Sequence, residues 1–213
     1  MTLAVRLGRS LVVGIFSAAV LSSCTHGVPE TKVEEARSLA TPTGPRQLDD
    51  DGQRLPFDTR HPHRWNSANS GTRYEPCTAM RADELEKLGV DPASVRDAAG
   101  TDGQTLRGCI WNYSTGEGSK QSRVSQIVGN SPSLAADKAL NSGPSDIWLA
   151  DRAIEDRVVG LVRASDGYSC ATYVQSGRAA VDTIVSVVGK VSPSEICDRA
   201  LEFTRATISK MPL

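Results

Sequence analysis

Five cysteines in a chain that opens with an export signal constrain this sequence more than any other feature. They stand at Cys24, Cys77, Cys109, Cys170 and Cys197. Arg6 and Arg9, the apolar stretch from Leu11 to Leu21, and the small residues Ser22 and Ser23 follow the order of a secretory leader. The apolar stretch is well short of the roughly 20 residues needed to cross a hydrocarbon core as a helix, so a permanent span is not expected. An exported chain meets an oxidising compartment where disulfides persist. An odd cysteine count then leaves one thiol to explain.

The cleavage site supplies the explanation. Leu21-Ser22-Ser23-Cys24 resembles the lipobox of bacterial lipoproteins, in which the thiol accepts a diacylglyceryl group and becomes the first residue of the mature chain. The competing reading is an ordinary leader that happens to contain a cysteine. Two or more acyl chains give stable membrane attachment where one gives only marginal binding, which suits the motif. Assigning Cys24 to lipid leaves four cysteines, an even number, for the exported domain. The expected address is the extracytoplasmic face of the cell membrane, with residues 1–23 removed.

After cleavage, 22 Lys and Arg remain against 25 Asp and Glu, a net charge of −3. A weakly acidic chain argues against nucleic acid as a partner. Residues 24–54 are rich in Pro, Gly, Thr and charge and include Asp49-Asp50-Asp51. Such a composition buries too little apolar surface to offset its ordering entropy, so a flexible lipidated tether is expected there. A single domain is expected over residues 55–213. Phe57 and Trp65 suggest that part of the stretch from Leu55 to Thr72 docks on that domain.

Within the domain the spacing of Met80, Leu85 and Leu88, with Gly89 at the stop, predicts a short helix near Ala82–Leu88. Leu106–Ser114 and Ser122–Val128 have strand composition, and Ser131-Pro132 opens a short helix through Leu140 with Ser131 as cap. Val158–Arg163 and Tyr168–Gln175 flank Ser165-Asp166-Gly167, a hairpin signal. Ala179–Val188 is rich in β-branched residues and reads as strand. Ser192-Pro193-Ser194-Glu195 is a capping-box start for a last helix with Ile196, Ala200, Phe203 and Thr207 on one face. The sum is an α+β domain: an antiparallel sheet of about five strands with helices on one face.

Glu75-Pro76-Cys77, the run from Met80 through Leu88-Gly89-Val90, Gly108-Cys109-Ile110-Trp111 and the Cys197-x-x-Ala200 helix together resemble an actinobacterial surface lipoprotein family known only as domain of unknown function 3558. The resemblance covers about Tyr74 to Pro212. It implies structural cysteines and a surface location, and no activity. Four cysteines allow three pairings. Placement favours Cys77 with Cys109, because the first helix must cover that strand. It favours Cys170 with Cys197 because the last helix opens beside a neighbouring strand. Each link closes a loop of about 30 residues, worth roughly 3–4 kcal/mol in the chain-entropy model.

Residues with chemical potential read as ordinary. His26, His61 and His63 are all the histidines, and the pair around Pro62 lacks a partner ligand set for a metal. There is no Gly-x-Ser-x-Gly elbow for a serine nucleophile. Asp49-Asp50-Asp51-Gly52 lacks the spacing and closing Glu of an EF-hand loop. Asp146 with Asp151, and Glu155 with Asp156, read as surface or hairpin charges rather than a glycosidase pair. The glycines Gly100, Gly103, Gly116 and Gly118 precede no phosphate-binding helix. Trp111 reads as core beside Cys109, and Trp148 as an exposed contact. No catalytic residue, cofactor or metal is therefore expected.

The expected function is that of a lipid-anchored, non-enzymatic binding or interaction module, with the membrane and an envelope protein as partners. Carriage of an apolar envelope lipid or glycolipid is the second reading. It requires a large apolar cavity, for which only three Phe and three Met are present. An envelope hydrolase ranks last.

Overall fold

The computed structural model describes residues 44–100, 106–114 and 122–213. The expected leader, Cys24, His26 and most of the expected tether lie outside them, as do Gly103, Gly116 and Gly118.

The elements run α1 (Pro76–Ala79), α2 (Ala82–Lys87), β1 (Val90–Asp97), β2 (Arg107–Tyr113), β3 (Arg123–Val128), α3 (Leu134–Leu140), β4 (Asp146–Trp148), β5 (Arg152–Ile154), β6 (Arg157–Ala164), β7 (Ser169–Ser176), β8 (Ala179–Ser186) and α4 (Pro193–Thr207), with a closing 3₁₀ turn at Ile208–Lys210. One antiparallel sheet joins them in the order β1-β2-β3-β8-β7-β6-β4, and β5 pairs with β6 beside β4. It consists of two local meanders, β1–β3 and β6–β8, welded where β3 pairs with β8 over Arg123–Val128 and Val181–Ser186.

The sheet has eight strands rather than about five. The three unexpected ones have physical reasons to be unreadable. β1 contains Asp91 and Pro92 and carries a bulge between Asp91 and Arg96, which breaks any two-residue period. β4 and β5 are three residues each, too short to display alternation.

Side chains alternate across the sheet. Trp111, Val124, Val128, Val159, Leu161, Val174, Val181 and Val185 pack on one face against Ile196, Ala200 and Phe203 of α4. Trp111 and Phe203 meet with ring centroids 5.8 Å apart. The residues between them form a smaller cluster on the opposite face, where Val162, Ala171 and Tyr173 pack with Ile184, Trp148 and Leu134 of α3. The helices are thus not confined to one face: α3 covers the second. β8 sits between β3 and β7 and has packing on both faces, which explains its imperfect alternation.

Two caps differ from their sequence reading. α3 starts two residues late: the Ser133 hydroxyl accepts from the Ala136 N–H at 3.1 Å, whereas the Ser131 hydroxyl bonds Asp137. At α4 the Ser192 hydroxyl accepts from the Glu195 N–H at 3.2 Å, but the Glu195 carboxylate turns to Arg199 at 2.7 Å.

The folded unit begins before residue 55. Leu48 bridges Arg54, and Asp49 is buried. The Asp49 carboxylate accepts from the Asp51 and Gln53 N–H groups at 2.9 and 2.7 Å and from the Thr78 hydroxyl at 2.6 Å. The acidic run therefore splits into one carboxylate that builds a turn and two that stay in solvent.

Candidate functional site

Two buried arginines fix the segment before α1 to the sheet. The Arg64 guanidinium, fully buried, donates to both Glu75 oxygens at 3.0 and 2.8 Å and to Asp97 at 3.0 Å. It also donates to the Gly108 carbonyl at 3.2 Å and lies over the Trp65 ring at 4.4 Å. Burial acts to lower its pKa, but the bonds and charge of Glu75 and Asp97 outweigh this and raise it. Arg107 donates to the Thr72 and Tyr74 carbonyls at 3.0 and 2.6 Å. Its pKa is lowered by burial, against the pull of Glu75. Beside this network the Cys77–Cys109 disulfide joins α1 to β2, with Cα atoms 5.3 Å apart. Most of these groups hold residues 57–75 in place, while the Arg107 Nε and one Asp97 oxygen are buried without a hydrogen-bond partner among the described residues.

The second disulfide, Cys170–Cys197, joins β7 to α4 with Cα atoms 5.0 Å apart. Both pairings are the ones that placement favours.

The opposite end of the sheet looks different. The N-terminal segment meets the β7–β8 turn, where the Arg178 N–H donates to the Gly71 carbonyl at 2.9 Å. From that turn β7 and β8 run eight residues each, roughly 25 Å at strand rise. They end at Tyr168 and Val187, joined by an N–H to carbonyl bond of 3.0 Å. Here the chain exposes large apolar groups: Tyr168 is 56% and Val188 54% accessible. With Val187, Gly189 and Lys190 they line an open cleft of about 490 Å³. Exposed aromatic and aliphatic groups side by side, with one cation at the edge, form a surface suited to contact.

The other notable group is a carboxyl pair beneath α3. Asp137 is buried and accepts from the Ser131 hydroxyl at 2.7 Å. Asp182, on β8, is buried near Asp137, and its pKa is raised well above its ordinary value by burial first and the Asp137 charge second; Oδ2 of Asp137 and Oδ1 of Asp182 are both buried without a hydrogen-bond partner among the described residues. Nothing in the local sequence marks this pair. Asp182 lies on a strand and Asp137 on a helix 45 positions away, and only the register that sets Asp182 opposite Tyr173 and Ile127 brings them together.

Glu155 and Asp156 form the two-residue turn between β5 and β6, both with positive φ (48° and 61°). Asp151 pairs with Lys138 at 2.6 Å, and Asp146 starts β4. His61 and His63 sit in the irregular segment before Arg64. Trp148 is not the exposed contact expected of it. Its ring packs on Tyr173 at 5.2 Å and its Nε1–H donates to the Asn141 carbonyl at 3.0 Å, so it anchors α3. Among the described residues, no group of three or more His, Cys, Asp or Glu is placed to hold a metal ion. None of their helices is long and apolar enough to cross a membrane.

Comparison with known proteins adds one family. No curated protein and no solved structure matches the chain. The family model described as "Protein of unknown function (DUF3558)" matches residues 19–210. That match spans most of the sequence and takes in both disulfides and every element from α1 to the closing turn: the chain belongs to the DUF3558 family.

Proposed function

We propose that the protein is a cell-envelope lipoprotein, anchored by lipid on Cys24 and acting as a non-enzymatic interaction module through the Tyr168–Val188 end of its sheet. The exposed apolar surface at that end carries the reading. It lies at the end of β7 and β8 remote from Gly71, where the N-terminal segment joins the sheet. A chain tethered through its N-terminus would present this end away from the tether, toward other envelope components. The leader and the lipobox-like Leu21-Ser22-Ser23-Cys24 support the anchoring half.

Carriage of an apolar ligand fits less well. The space between the sheet and α4 is occupied by Trp111, Phe203, Ile196 and Leu161. It is also crossed by a polar chain in which Tyr74 donates to Gln126 at 2.5 Å and Gln126 donates to Thr183 and Thr207 at 2.9 and 3.0 Å. Hydrolysis by the Asp137–Asp182 pair is disfavoured because both carboxyls are buried beneath α3.

A photo-crosslinking residue at position 188, compared with one at exposed Arg54, tests the reading on intact cells. Position 188 should give a discrete adduct that Tyr168→Ser removes, and position 54 should not. Equal, Tyr168-independent labelling from both positions would overturn it.

A further inference from the structure

Between the N-terminal half of α4 and strands β5 and β6 lies a groove of about 350 Å³. Its floor is apolar, made by Leu149, Leu161 and Leu201, and two arginines, Arg152 and Arg163, stand along the sheet side. Neither has a hydrogen-bond or ion-pair partner for its guanidinium among the described residues, and the Nε of Arg163 is buried without a partner.

Among the described residues Arg163 is the partly buried arginine whose guanidinium has no partner: Arg64 and Arg199 pair with carboxylates, while Arg107 and Arg157 donate to backbone carbonyls, although the Nε of Arg107 is likewise buried without one. A buried N–H without an acceptor is costly, and the guanidinium's fork of donors matches a carboxylate or phosphate bidentately. The start of α4, with Ser194 at the groove, adds the positive end of a 15-residue helix. One acid, the exposed Asp198, opposes them.

From this set we infer that the groove binds a small anion carrying an apolar body, a carboxylate or phosphate whose alkyl portion lies on the leucine floor. A volume near 350 Å³ is at the small end of ligand sites, which suits a single short chain rather than a protein segment. The inference does not depend on the Tyr168–Val188 surface, and each can fail without the other.

The test is calorimetric titration of the disulfide-intact protein with octanoate and mono-octyl phosphate, with octanol and inorganic phosphate as controls. Saturable binding of at least one amphiphilic anion is expected, with octanol and inorganic phosphate at least tenfold weaker. The tighter of the two anions tells a fatty carboxylate from a lipid phosphate. Arg163→Gln should weaken binding at least tenfold. Arg152→Gln, at an exposed position that does not endanger the fold, should weaken it several-fold, and Asp198→Asn should tighten it. Absence of saturable binding up to millimolar anion overturns the inference. So does octanol or inorganic phosphate binding as tightly as the amphiphilic anions, or affinity unchanged in Arg152→Gln.

Discussion

At the scale of single residues, the fold concentrates its electrostatic risk in two buried places with opposite behaviour. Arg64 satisfies two acids at once. Replacing it with leucine removes the cation paired with Asp97 and leaves Glu75 only the more distant Arg107, at 3.8 Å. Loss of one partner from a buried pair costs about 3–5 kcal/mol, and Arg64→Leu should lower the denaturation midpoint accordingly. A variant within 1 kcal/mol of wild type would show that the network contributes little.

Asp182 behaves in the reverse sense. Its folded-state pKa is raised, by burial and then by Asp137, so its contribution is fully present below the unfolded carboxylate value of about 3.9. That contribution is lost as pH rises from there through the folded value. Asp182→Asn keeps the side-chain shape but cannot ionise. It should match wild type near pH 3–4 and exceed it in stability at pH 7, as read from paired urea titrations. A constant difference across that range would contradict a raised Asp182 pKa.

At the scale of elements, the two capping serines before α3 have different roles. Ser133 caps the helix, while Ser131 holds Asp137. Ser133→Ala should cost about 1 kcal/mol, with amide-exchange protection lost in Leu134–Leu140 and retained in α4. Loss of protection in both helices alike would argue against α3 as a locally capped element.

The elements legible in the sequence are those whose period is enforced by one buried face. α4 shows its stripe because only Ile196, Ala200, Phe203 and their neighbours meet the sheet. The β6–β7 hairpin shows its turn because Gly167, with φ of 77°, occupies a conformation that glycine tolerates best. β1 was hidden by Pro92 and its bulge, and β4 and β5 by their length. Trp148 is illegible as a packed residue because its burial on the second face depends on α3 crossing there. The distal surface is equally illegible: Tyr168 and Val188 are unremarkable in sequence, and their exposure among the described residues makes them a candidate contact. The groove arginines stand apart for what they fail to touch, a property with no sequence signature.

At the scale of the whole molecule, two disulfides staple the ends of the meander pair. Cys77–Cys109 ties the N-terminal segment to β2, and Cys170–Cys197 ties α4 to β7. The N-terminal segment enters at one end of the sheet and the apolar surface stands at the other. That polarity has a functional meaning only if the chain is held by its N-terminus. Anchoring at Cys24 is therefore the claim on which the proposal turns. It is tested most directly by comparing wild type with Cys24→Ala in cells fed an alkyne fatty acid, reading label on the protein and its partition between membrane and soluble fractions. Wild type should be labelled and membrane-bound, with Cys24→Ala unlabelled and released; a Cys24→Ala protein that remains acylated and membrane-bound would contradict it.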